Sequence, residues 1–224
     1  IIMWRAFVYE INSKDRASQA YNEFMPLDGQ FRNNVIIQVK NGPVDFQPRE
    51  PFNPLFGALK KTSVMPELQI TQEYLGHSTQ LVYLASMWEE FLKSETYQGG
   101  IGSIVARTTD GSIFPQKYTA IAGVANIGLD ANWCGHHFAQ SNWYAFGRMA
   151  WNNQITSEKI AEEWLKLTFS PNEEKKITVS DWQKNFLVPV KQLMLESHEA
   201  AVNYSMPLGL HHIFAGLNNT HYGP

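Results

Sequence analysis

Asp45 and Glu73 are the acidic side chains best placed to do chemistry, because each follows a run of apolar residues that reads as a buried strand. Asp45 closes the stretch Lys40-Asn41-Gly42-Pro43-Val44-Asp45, and Glu73 follows Glu67 to Thr71 by way of Gln72. Two carboxylates at one mouth suit hydrolysis of a glycosidic bond. One group takes a proton from water while another protonates the leaving oxygen. Arg5 interrupts an apolar strand and Lys40 ends one, and charges at such places are rarely buried without a partner. An internal ion pair between one of these cations and one of the carboxylates meets that need. So does a grip on an anionic substrate, since a guanidinium matches a carboxylate in two parallel hydrogen bonds. Position alone leaves both readings open, along with a turn-capping role for Asp45 and a surface role for Glu73.

Other constellations carry less. Cys134-Gly135-His136-His137, with His211 and His212, invites a metal reading. The spacing matches no standard zinc site and no H-E-x-x-H occurs, so no metal is expected. Neither Gly99-Gly100-Ile101-Gly102 nor Gly123 to Gly128 reproduces a dinucleotide fingerprint, which leaves those glycines as turn and packing residues. The 18 basic and 21 acidic residues leave a net charge of −3, which argues against a nucleic-acid partner. One cysteine excludes a disulfide-stapled scaffold. No run of about 18 apolar residues occurs, so no membrane span is expected. The seven tryptophans suit the C–H faces of sugars, although most tryptophans fill cores. Glycosylation sequons at Asn203 and Asn218 fix no compartment.

The elements that must position these residues are legible as period and punctuation. Ile1 to Tyr9 reads as a strand covered on both faces. Ala17, Ala20, Tyr21 and Phe24 mark an amphipathic helix that ends near Pro26 and Asp28-Gly29. Val35 to Val39 is a second strand, followed by a loop with Pro43, Pro48, Pro51 and Pro54. A third strand is expected over Glu67 to Thr71, a long helix over Leu81 to Leu92, a fourth strand over Ile121 to Ile127, and a helix around Trp143 to Ala150. Alternation of strand and helix predicts parallel βα units. Past residue 151 only helical faces recur, at Ile160 to Leu167 and Trp182 to Met194, joined by a polar connector at Ser170 to Lys176. The expectation is a barrel portion over 1–151 and a helical segment over 152–224. Four βα units are half of an eight-stranded TIM barrel, which typically takes about 250 residues. With no initial methionine and a strand under way at Ile1, the chain is expected to be an internal piece of a longer protein.

Asn34 to Pro51, with Val35-Ile36-Ile37-Gln38-Val39-Lys40-Asn41-Gly42-Pro43-Val44-Asp45 at its centre, resembles the α-glucuronidases of glycoside hydrolase family 67. The likeness continues through Glu67 to Gly76, Gly123 to Gly128, Asn132 to His136 and Pro207 to His212. The resemblance implies the last four βα units of a barrel between an N-terminal domain and a helical C-terminal domain. It implies inverting removal of 4-O-methyl-D-glucuronic acid from the terminal xylose of glucuronoxylo-oligosaccharides in xylan degradation, with no metal or organic cofactor. It also implies catalytic carboxylates at Asp45 and Glu73 and uronate-binding cations at Arg5 and Lys40. The family's general acid is a glutamate on an earlier strand. Glu10 does not match its surroundings, so the 224 residues alone are expected to be inactive. Bacterial relatives are mostly cytoplasmic, and dimers of full-length enzymes use the C-terminal domain. A non-catalytic uronate-binding module, and a hydrolase of another acidic sugar, are the alternatives.

Overall fold

The computed structural model describes residues 1–8, 15–131, 135–171 and 177–206. Four strands, β1 (Ile2–Arg5), β2 (Val35–Lys40), β3 (Ser63–Gln69) and β4 (Ala122–Val124), form one sheet. Every neighbouring pair is parallel and the spatial order follows the chain order. A doubly wound sheet reverses its order at a switch point. This one does not, so the winding runs in one sense, as half of a closed barrel would.

β2 reads Val-Ile-Ile-Gln-Val-Lys, rich in β-branched residues that pack on a pleated surface, and five of its six residues are buried. Ile37 and Val39, with Val64 and Leu68 of β3, point to the helix-covered face. Helix α1 (Gln19–Phe24), extended by a 3₁₀ turn over Met25–Leu27, leads from β1 to β2. No helix occupies the crossover from β2 to β3. The proline-rich loop takes its place and buries Leu55, Phe56 and Leu59 completely or nearly so. Helices α2 (Ala85–Lys93) and α3 (Val105–Thr109) lie between β3 and β4.

The helical remainder comprises α4 (Ala139–Trp151), α5 (Ser157–Phe169), α6 (Val179–Trp182) and α7 (Val188–Ser205). A π turn over Gln183–Leu187 joins α6 to α7, and Pro189 falls in the first turn of α7, where a missing N–H is least costly. Trp88, Leu84, Trp164, Leu165 and Met194 belong to the same apolar cluster as the sheet residues. Polar bonds bind the two parts further: the Tyr83 hydroxyl donates to the Ser157 carbonyl at 2.9 Å, and Ser197 Oγ accepts from the Tyr83 amide at 2.8 Å. No helix among the described residues is long and apolar enough to cross a membrane.

The expected boundaries need correction in four places. β1 stops at Arg5 rather than Tyr9, and Tyr9 itself lies outside the described residues. β3 starts at Ser63, four residues before Glu67, because Pro66 is accommodated inside the ladder opposite Val39. β4 is only three residues long. Helix α3, whose five residues include Arg107, Thr108 and Thr109, has too short and too polar a pattern to register as a period.

Candidate active site

Register determines which side chains meet. Arg5 pairs with Gln38 across β1 and β2, and Lys40 pairs with Glu67 across β2 and β3. Side chains alternate along each strand, so Arg5, Gln38, Lys40, Glu67 and Gln69 share one face, opposite the helix-covered one. They lie at the carboxyl ends of three adjacent strands, where barrel enzymes place their chemistry.

Glu67, which its place along the chain does not by itself mark as functional, sits at the centre of this layer. Its side chain is wholly buried, and it accepts from Arg5 Nε at 2.9 Å, Arg5 Nη2 at 2.5 Å and Gln38 Nε2 at 2.8 Å. Arg5 is therefore held by an internal carboxylate in a two-pronged pair, with nearly half of its side chain exposed. The signal that could have found Glu67 is that it is the one charged residue of the strand Ser63–Gln69, at period-two spacing from Met65 and Gln69.

Lys40 is 6 % exposed and its ammonium pairs with Asp45. The Phe7 ring lies 4.0 Å from Nζ and the Phe46 ring 5.1 Å from it, so the charge is flanked by aromatic faces. Burial pushes the Lys40 ammonium below its ordinary range; Asp45 and Glu67 draw it back up, while Arg5 adds to the depression. Asp45 and Phe46 both adopt left-handed backbone, at φ 69° and 58°. Such conformations cost about 1 kcal/mol or more each in non-glycine residues and persist where their surroundings over-determine them.

Glu73 opens the 3₁₀ segment Glu73–Ser78 just past β3. Its amide donates to Gln69 Oε1 at 3.2 Å, which fixes where the half-buried side chain leaves the backbone. Among the described residues no cation pairs with its carboxylate, and no hydrogen bond links it to Asp45. Beside it, the Gln72 side chain is buried with neither amide atom bonded to a described residue. The structure thus brings Arg5, Lys40 and Asp45 into one layer and places Glu73 at the end of the next strand. The metal reading fares differently. Cys134, His211 and His212 lie outside the described residues, His136 Nε2 is 2.8 Å from the Ser78 carbonyl, and no group of three metal-ligating side chains occurs among the described residues.

Glu50 is a second residue that position along the chain did not reveal. Its Oε2 accepts from the Val44 amide at 2.7 Å and its Oε1 from the Gln47 amide at 3.1 Å. Burial pushes its carboxyl from 4.5 up to about 7, and the charge of Asp45 adds to the rise, while those two bonds and Lys40 oppose it. Between pH 4.5 and 7 the folded protein keeps a proton that the unfolded chain has released. This contribution to stability is complete below pH 4.5 and is lost as pH rises through 7. Glu50→Gln is expected to remove roughly 3 kcal/mol of that pH-dependent loss, read from denaturant unfolding at pH 5 and pH 8. The other charged groups lining the cavity beside Glu50 are Arg49, Glu90 and His198. Burial holds His198 below its ordinary range, so its slope has the opposite sign, below pH 6.5, and remains in both proteins.

Residues 1–133 match the family model for the glycosyl hydrolase family 67 middle domain, and residues 134–224 match that for the family 67 C-terminus. The whole chain aligns at 42 % identity with alpha-glucuronidase A of Emericella nidulans and at 41 % with an alpha-glucuronidase of Hypocrea jecorina. It aligns at 40 % with a probable alpha-glucuronidase A of Neosartorya fischeri. In each case the chain covers 26 % of the relative, so it spans about a quarter of the length of the curated proteins it matches.

Proposed function

The chain belongs to glycosyl hydrolase family 67, and on that premise we propose that it carries the water-activating side of an inverting α-glucuronidase site. The substrate class is a glucuronoxylo-oligosaccharide bearing 4-O-methyl-D-glucuronic acid on its terminal xylose. Asp45 and Glu73 polarise the attacking water, and Arg5 and Lys40 receive the uronate carboxylate. Inversion requires the base and the acid on opposite faces of the sugar, roughly 6.5 to 9.5 Å apart, with the water between base and anomeric carbon.

The observation that carries the reading is the largely buried Lys40–Asp45 pair, with the Arg5–Glu67 pair bridging the strands on either side of Lys40 at the carboxyl edge of the sheet. A uronate arriving beside Lys40 competes with Asp45 for the ammonium. Substrate recognition by the cation thereby releases the carboxylate that must take a proton from water. The same reading places residues 1–151 in a TIM barrel completed by further strands and residues 152–224 in a helical domain. It assigns the full-length enzyme no metal or organic cofactor, a cytoplasmic site of action and homodimerisation.

The test is substrate discrimination. In the full-length enzyme, Lys40→Ala and Arg5→Ala are each expected to raise KM for the acidic oligosaccharide by roughly 10- to 100-fold, the worth of a charge-assisted hydrogen bond. The same variants should have little effect on a substrate whose uronate is methyl-esterified. If both substrates responded alike, or if Lys40→Ala changed neither KM nor kcat, the anchor role would be abandoned. The closed ion pairs favour one second reading, a module that binds uronates without hydrolysing them. That module would keep glucuronate affinity in Asp45→Asn and Glu73→Gln and would release no uronic acid in any form.

A further inference from the structure

We propose that Glu50 is a positioning residue, whose half-buried carboxyl group clamps the Val44–Gln47 turn and thereby aims Asp45. The inference rests on the assignment of Asp45 to water activation. The two amides that Glu50 accepts, those of Val44 and Gln47, bracket Asp45 and Phe46. Those enclosed residues are the two consecutive left-handed ones, a conformation the chain would leave without outside constraint. Gln47 Nε2 closes the turn from the other side by donating to the Val44 carbonyl at 2.7 Å. A notch in the backbone admits the carboxylate: a Cβ added at Gly42 would sit 1.9 Å from Glu50 Cδ. Glu50 touches Asp45 through no side-chain hydrogen bond among the described residues, so its hold on the position of Asp45 runs through the turn's backbone.

The discriminating experiment uses the full-length enzyme and three substitutions. Glu50→Gln replaces one acceptor oxygen with an amide that cannot accept, and Gly42→Ala displaces the carboxylate from the opposite side. Each is expected to lower kcat roughly 10- to 100-fold, the effect of an ångström-scale misplacement, with KM within about twofold. Both are measured at a temperature where circular dichroism reports the variant folded. Asp45→Asn is assayed in parallel. If it is inactive while Glu50→Gln and Gly42→Ala keep kcat within about twofold of the parent, the positioning role is overturned and the assignment of Asp45 stands. A fully active Asp45→Asn overturns that assignment instead, and the positioning role with it. A role confined to stapling the loop would lower the melting temperature and leave kcat of the folded protein alone, which also counts against the proposal. Should neither variant fold, amide exchange in the unaltered enzyme decides. Slow exchange at Val44 and Gln47 supports the clamp, and exchange at the rate of an unstructured loop refutes it.

Discussion

In the full-length enzyme, Glu73→Gln is expected to lower kcat by roughly 10²- to 10⁴-fold with KM unchanged, and Asp45→Asn to lower kcat as far while also lowering KM. The difference follows from the partners of the two carboxylates. No described cation pairs with Glu73, so its loss removes the proton acceptance proposed for it and leaves the proposed uronate site intact. Asp45 holds the Lys40 ammonium, which burial already pushes toward neutrality. Without that carboxylate, the arriving uronate no longer competes with Asp45 for the Lys40 ammonium, so the substrate is held more readily while the attacking water loses a proton acceptor. Release of uronic acid from an aldouronic acid, fitted for kcat and KM separately, checks both statements. Identical kinetic signatures for the two variants would contradict the paired arrangement.

The second large effect concerns stability. Glu67→Ala is expected to cost about 2 to 3 kcal/mol in unfolding free energy. That is below the 3 to 5 kcal/mol of a fully buried pair, because nearly half of the Arg5 side chain is in solvent and screened. The substitution strips Arg5 of its two hydrogen bonds to described residues and Gln38 of one, and it takes from Lys40 a neighbouring negative charge. Arg5→Met combined with Glu67→Met should be less destabilising than Glu67→Ala alone, since it leaves no polar group unpaired between those two positions. Denaturant titrations of the parent, the single and the double variant measure this. A double variant weaker than the single one would mean that packing, and not charge, governs the layer.

The parts of the site that lie at strand ends were legible from the sequence, because a charge that stops an apolar run is visible without knowing the fold. Lys40 after Val35–Val39 and Asp45 five residues later are of this kind. The internal ion pair expected of a cation with Asp45 or Glu73 is present for Lys40 with Asp45, whereas Arg5 pairs with Glu67 instead. Glu67 was hidden because its partner is 62 residues away and the two meet only through strand register. Pro66 beside it also disguised where the strand begins. Glu50 was hidden for a different reason: loop geometry has no period, and nothing in a proline-rich stretch announces which carboxylate turns inward. The alternation of strands and helices was legible. The prolines also announced that the β2–β3 crossover is a loop; that this loop buries Leu55, Phe56 and Leu59 depends on packing that periodicity does not encode.

β1 presents Ile2, Met3 and Trp4 to solvent, each more than half exposed, with the Trp4 indole edge-on to Phe31. An indole in that position is a built-in optical gauge. Where additional polypeptide covers the strand, its emission moves to shorter wavelength and iodide can no longer reach it. Comparison with Trp4→Phe isolates its signal from the other tryptophans and reports, without any assay of turnover, whether that rim is clothed.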